Sequence, residues 1–380
     1  THVVRAVDIA RKYRAQGGNI IIGGPGAYSC KDYVEKSNAF DSIVLGEADE
    51  LWQNIIDDFD RVRLQPVYQC ASYPALVHLP FTRFDLINKQ RYRKSYIDKN
   101  NPMLPIETSR GCPYNCKFCM VTNFFGKKIR HRPISDVIAE IAHHRAKDIV
   151  FTDDNIIADP NYSQELFRAL KPLGVEWFGQ FDTTICQKPE LLRLAYECGC
   201  GVAFLGVESI DNNNLIEMNK SHNVKNSLKE IGDAFRHTKI SILASIIFGL
   251  DYDTEASMRE TVNALIKNHI DVLIPWILTP LPGTALYDEM KTQGRIIHEN
   301  YSLFDATHVV YYPKRMTPKQ LSEAYWRLFR QFYKTRPIIK RLLCFEKGAV
   351  LEQLFYDLYA SHLVRKMIHP WKGKTYTVSR

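Results

Sequence analysis

The chain has 380 residues, 45% hydrophobic and 24% charged, a globular composition long enough for two or three units. No run of about 18 uncharged apolar residues occurs, which excludes a membrane-spanning helix by hydropathy. Nine cysteines without a secretory leader do not form a disulfide framework; they point to a reducing cytosol and a metal site. The formal charge of +8 is uneven, because residues 313–380 hold fifteen Lys and Arg against four Asp and Glu, or +11, and the rest sums to −3. Apolar and aromatic residues interleave with those basic ones at helical spacing. A nucleic-acid surface is one reading of that charge. The pattern equally suits a solvated helical cap, a partner or a peripheral contact with the inner face of a membrane, and no nucleic acid is expected as partner.

The chain opens without Met in a helical pattern over 3–16, which reads as a cut N-terminus. An apolar run, "NIIIGGPGAY", follows, then a polar helix near Lys31, the run "FDSIVLGEADE", and a helix from Glu50 to Phe59. Two apolar runs ending at Gly23-Gly24 and Gly46 mark the carboxyl ends of parallel strands, where ligands sit in open α/β sheets. Residues 61–103, with Pro66, Pro74, Pro80, Pro102 and the basic patch "NKQRYRK", read as a linker.

From Leu104 six strand-like runs alternate with helical patterns at about 135–146, 161–172, 189–198, 224–237 and 254–268. This predicts an α/β fold, a partial (β/α)6 TIM-like barrel over 104–300, with a basic helical region over 301–380. Chemistry in such barrels sits where strands end. Here those ends carry Thr108-Ser109, Asp153-Asp154-Asn155, Gln180 with Asp182, Glu208-Ser209, Gly249 and Thr279-Pro280.

The loop after the first of these strands reads "RGCPYNCKFCMV", with Cys112, Cys116 and Cys119 in C-x3-C-x2-C spacing. Three thiolates can hold three irons of a [4Fe–4S] cube and leave one iron open, which separates a working site from a closed one. The rival is zinc, with Cys198 or Cys200 of "ECGCG" as fourth ligand, but those fall where the opposite face of the barrel is expected. Cys30, Cys70, Cys186, Cys198, Cys200 and Cys344 are expected to be packing residues.

The spacing, with Phe118 just before the last cysteine, resembles the radical S-adenosylmethionine (radical SAM) enzymes. In that family the open iron chelates the amino and carboxylate groups of SAM. One electron then breaks the sulfonium bond and yields a 5′-deoxyadenosyl radical. The resemblance covers residues 104 to about 282 and extends to "FTDDN", "GVES", "SIIFGL" and "LTPLPGT". It implies SAM contacts at Phe118, Asp153, Asp154, Gln180, Glu208, Ser209 and Gly249, although Asp-Asp-Asn replaces the usual Gly-Gly-Glu.

Residues 1–60 resemble the later half of the Rossmann-like cobalamin-binding domain that precedes many radical SAM barrels. Gly23, Gly24, Pro25 and Gly46 would border the cleft for the corrinoid's nucleotide tail. The segment from "HVVYYPKRM" onward is similar to the C-terminal part of the same cobalamin-linked branch, which includes hopanoid-tailoring enzymes and the anaerobic porphyrin cyclase. The resemblance implies a [4Fe–4S] cluster, SAM and cobalamin as cofactors and flavodoxin or ferredoxin as electron donor. The implied substrate is a hydrophobic small molecule or a lipid-like one, modified at an unactivated carbon by methyl transfer, cyclisation, oxidation or carbon–carbon bonding. Tyr325, Trp326, Phe329, Phe332 and Tyr333 are read as packing on the barrel, with a substrate entrance as the alternative. Two other readings stand beside this one: a methylthiotransferase acting on tRNA or protein, and a non-catalytic cluster or corrinoid carrier.

Overall fold

The computed structural model describes residues 2–88, 91 and 103–342. The first unit is a parallel sheet of β1 (Ile21–Ile22), β2 (Ser42–Leu45) and β3 (Val67–Gln69), in that order. Helices α1 (His2–Arg14), α2 (Pro25–Ser29), α3 (Lys31–Lys36) and α4 (Trp52–Asp60) surround it. Strand alternation divides the packing. Ile43 and Leu45 meet Val3, Ala27 and Val34, whereas Val44 turns the other way onto Ile55 and Tyr68. Residues 61–103, expected as a linker, contribute β3 to this sheet, so the unit extends to Gln69. The run "PVYQ" is short and flanked by turns, which hides its strand character from periodicity. Most of "NKQRYRK", Cys344 and the tail beyond Leu342 lie outside the described residues.

The second unit begins with β4 (Leu104–Ile106) and a small antiparallel hairpin, β5 (Ser109–Arg110) with β6 (Arg130–His131). The cysteine loop and α5 (Val121–Phe124) lie between the hairpin strands. Then α6 (Ile134–His144), β7 (Asp148–Phe151), α7 (Pro160–Leu170), β8 (Glu176–Phe181), α8 (Pro189–Glu197) and β9 (Cys200–Glu208) alternate. After α9 (Asn212–Glu217) and α10 (Leu228–Phe235) come β10 (Ser241–Phe248), α11 (Glu255–Lys267), β11 (Val272–Ile277) and α12 (Ala285–Thr292). The six long-range strands form one parallel sheet in the order β4-β7-β8-β9-β10-β11, an open partial barrel. All six predicted strands are present. The helix expected over 224–237 starts at Leu228, where Ser227 caps it through Glu230 in a capping box.

The helix-facing side of the sheet is fully apolar, with Ile149, Phe151, Trp177, Ala203, Leu205, Ile242, Ala244 and Ile246 buried in one core. The opposite, inward side carries Gln180, Phe204, Gly206, Glu208, Ser245 and Trp276, which are the polar and aromatic positions of the same strands. Period two therefore writes core and lumen into alternate residues. Helix α13 (Pro318–Phe332), followed by α14 (Thr335–Leu342), closes the β11 edge. There Tyr325 donates to Pro275 O at 3.0 Å and Tyr333 donates to Leu273 O at 3.1 Å, so both aromatics pack on the barrel.

Glu47 joins the two units. Its side chain, only 2% exposed, pairs with Arg110 at 2.5 Å and with Arg130 at 2.5 Å. Arg110 also reaches Asp49 at 2.6 Å and Glu107 at 3.0 Å, and Arg130 donates to Pro74 O and Phe125 O. Arg110 and Arg130 are cross-strand partners at the base of the hairpin. Replacing Glu47 with Ala leaves Arg110 with Asp49 and Glu107 but takes from the half-buried Arg130 guanidinium its carboxylate partner. The expected loss is about 3 kcal/mol of stability, read as a lower urea midpoint with an unchanged slope.

Candidate cluster and cofactor site at the barrel mouth

Gly111 opens the cysteine loop at φ +95°, and a Cβ there would collide with the Lys128 and Gly126 carbonyls. Only glycine lets the hairpin close so tightly. The loop is pinned by Cys112 N donating to Gly126 O at 3.4 Å and Cys119 N to Cys116 O at 3.0 Å. Lys117 ties it across the mouth: its N–H donates to Met218 O and its carbonyl accepts from Leu286 N, both at 3.0 Å. Its ammonium pairs with Glu289 at 2.9 Å.

The three thiols are half-buried and free of disulfides. Burial pushes Cys112 up to about 11 and Cys119 up to about 12, with the neighbouring cysteines adding to the rise. Cys116 is raised as well, by burial first, against the pull of Lys220. Three adjoining thiols that resist ionisation on their own are a donor set that metal binding would deprotonate. Among the described residues, no three His, Cys, Asp or Glu side chains converge as ligands of a single ion. Cys200 begins β9 and Glu208 ends it, about 26 Å away along an extended strand, so neither Cys200 nor the adjacent Cys198 shares the mouth with the cysteine loop. The donor set fits a multi-iron cluster and does not fit zinc.

Glu208 ends β9 at φ +65° beside a bulge, a register shift against β10, with the inward parity of Phe204 and Gly206. It accepts from Lys220 Nζ at 3.1 Å and from Ser245 Oγ at 2.9 Å, and Ser245 in turn accepts from Trp276 Nε1 at 3.1 Å. Burial pulls the Lys220 ammonium down, but Glu208 and Cys116 outweigh it and leave it raised. Below this pair, Asn223 donates to Gly206 O at 2.7 Å and Val207 O at 3.0 Å. Thr183 bridges Asn223 and Asn226, and Gln187 donates to Asn226, so the bulge rests on satisfied amides. Phe118, Phe204, Glu208, Trp276, Phe304 and Asp305 all line one cavity of about 420 Å³.

The other expected residues take different places. Asp153 is buried and accepts from Thr108 N at 3.0 Å, Thr108 Oγ1 at 2.7 Å and Ser109 Oγ at 2.5 Å, which fixes the root of the loop. Asp154 faces the cysteines electrostatically, and its carboxyl is pushed up to about 6 by burial, with Asp153 and Glu107 adding. Gln180 is half-buried on the inner side of β8, with its carbonyl accepting from Ile156 N at 2.9 Å. Ser209 Oγ accepts from Asp211 N at 3.0 Å and shapes the turn into α9. Gly249, at φ +89°, donates to Asp253 at 2.9 Å and accepts from Tyr311 OH. Asp182 accepts from Asn155 and Thr184, both at 2.7 Å. Nearby, Tyr114 of the cysteine loop stacks on His222 with 3.6 Å between ring centroids.

Gly24, at φ +85°, precedes Pro25 at the start of α2, and Gly46, at φ +90°, follows β2. Gly23 lies against β2, where a Cβ added to it would stand 3.3 Å from the Val44 Cβ. The helix that follows Gly24 packs on the second unit: Tyr28 of α2 meets Phe124 of α5 edge-on at 5.7 Å, and Ser29 lies against Gly283. Sequence reasoning missed Lys220, which lies in a polar loop twelve residues beyond the strand end, and Ser245 and Trp276, which look like ordinary strand positions. The inward parity that Ser245 shares with Ile247 was the available signal for the serine.

Residues 106–265 match the Radical SAM superfamily. The chain is 30% identical over 343 residues to bacteriochlorophyllide d C-12(1)-methyltransferase of Chlorobaculum tepidum, spanning 89% of this chain and 74% of that protein. It is 24% identical over 379 residues to hopanoid C-2 methylase of Rhodopseudomonas palustris, spanning 96% of this chain and 66% of the methylase. The radical SAM methyltransferase TsrM of Kitasatospora setae, solved with cobalamin and a [4Fe–4S] cluster, shares the fold at a TM-score of 0.62 and 13% identity, over 96% of this chain and 84% of TsrM. With its cysteine loop and six-stranded barrel, the chain belongs to the radical SAM superfamily, as a relative of the cobalamin-dependent methyltransferases.

Proposed function

We propose that this enzyme transfers a methyl group, by way of cobalamin, to an unactivated carbon of a hydrophobic substrate. The observation that carries the reading is the cavity of about 420 Å³ that Phe118 of the cysteine loop shares with Glu208, Trp276 and Phe304 at the barrel mouth. Methyl transfer is favoured over cyclisation or oxidation by the named activities of the two methylating relatives. Their named substrate types, a bacteriochlorophyllide and a hopanoid, agree with the aromatic lining of the cavity.

Cys112, Cys116 and Cys119 would hold the [4Fe–4S] cluster, which when bound supplies the electron that opens the sulfonium bond of SAM. Phe118 walls the adenine side of the cavity. Glu208 would accept from the ribose hydroxyls, and the charged Lys220 beside it would meet a carboxylate. Asp154 is placed to accept from the amine. Gly23, Gly24, Pro25 and Gly46 offer open backbone to the corrinoid tail. Phe204, Leu278 and Leu281 exclude water around the reacting carbon. The electron comes from a reduced carrier of the flavodoxin or ferredoxin kind. Among the described residues no helix is long and apolar enough to cross a membrane.

Anaerobically reconstituted protein with dithionite and SAM should release 5′-deoxyadenosine, and Cys116→Ala should abolish it; full cleavage by that variant would sink the reading. Purified protein should also retain hydroxocobalamin through gel filtration, seen by its visible absorbance, whereas elution without that absorbance would remove cobalamin from the proposal. Gly206 gives a finer test, because a Cβ there would lie 2.8 Å from Glu208 Oε1 and 3.0 Å from Lys220 Nζ. Gly206→Ala should raise the KM for SAM about tenfold, equivalent to about 1.4 kcal/mol, with a smaller change in kcat.

A further inference from the structure

Trp276 differs from the other described tryptophans. Trp177 and Trp326 are buried at 3% and 5% exposure and Trp52 lies on the outside of α4, but Trp276, 36% exposed, opens onto the lumen cavity. An indole left open inside a barrel is costly unless something covers it. Its polar edge is already satisfied: Nε1–H donates to Ser245 Oγ at 3.1 Å, and Ser245 donates to Glu208 at 2.9 Å. The ring is therefore held in one orientation by an edge contact, and its face stays available to an occupant. Phe204 and Phe304 border the same cavity.

We propose that Trp276 is a stacking platform for a planar, conjugated ring of the substrate, and so selects flat π systems over saturated polycycles. This rests on the reading of the cavity as the SAM and substrate site. A conjugated ring gains offset stacking and dispersion over its whole face, whereas a saturated skeleton of equal carbon count holds its hydrogens out of plane and cannot approach as closely. Adenine offers the same chemistry, so the test separates the two sources.

Pyrene and its fully hydrogenated form share one carbon skeleton. Binding of pyrene to reconstituted protein saturated with S-adenosylhomocysteine is read from its fluorescence anisotropy, with hydrogenated pyrene as competitor. The expected result is binding at least about tenfold weaker in Trp276→Ala, mostly retained in Trp276→Phe, and poor competition by the saturated form. Equal binding by Trp276→Ala overturns the proposal, as does equal competition by the saturated ring. Pyrene that binds only when S-adenosylhomocysteine is left out also overturns it and gives Trp276 to adenine. No reductant is present, so a failure here leaves 5′-deoxyadenosine formation to be judged separately, and the reverse holds too.

Discussion

The arrangement depends on one carboxylate held between two guanidinium groups. Arg110 and Arg130 face each other across the hairpin that frames the cysteine loop, and without Glu47 the Arg130 guanidinium would lose its carboxylate partner in a poorly solvated place. Because Glu47 belongs to the small sheet's side of the molecule, just after β2, the same ion cluster ties the end of that strand to the hairpin. The Tyr28–Phe124 and Ser29–Gly283 contacts then complete the seam with apolar and backbone packing. The small sheet and the hairpin that frames the cysteine loop thus share a single anchor.

Inside the lumen the same logic recurs on a smaller scale. Strand alternation points Glu208 inward at the end of β9, Lys220 neutralises it, Ser245 orients it and Trp276 closes the chain of donors. Asn223, Asn226, Thr183 and Gln187 satisfy the carbonyls and amides beneath. A charged pair so supported needs little rearrangement to receive a ligand that carries both charges, which is how a preorganised site lowers the cost of binding.

Much of this was legible in the residues, because the signals are local. The C-x3-C-x2-C spacing, six alternating strand patterns and glycine strand ends each occupy a few adjacent positions, and all six strands stand where the patterns put them. What escaped was set by long-range pairing. Nothing within "GEADE" says that Glu47 is matched by arginines more than sixty residues away. Lys220 acquires its place only because α9 turns the chain back to the mouth, and β3 is too short for a period to show. Asp153 was legible as a polar strand end, but its three donors come from the strand before it.

Lys117 shows what this architecture asks of the metal. Both of its backbone hydrogen-bonding groups serve distant segments, one after α9 and one at α12, so the cysteine loop doubles as a strap across the open barrel. Ligand geometry at the cysteines and closure of the mouth are therefore one equilibrium, and binding energy at the first appears as rigidity in the second. If the three cysteines hold a cluster, as proposed, losing it would slacken the strap as well as silence the chemistry.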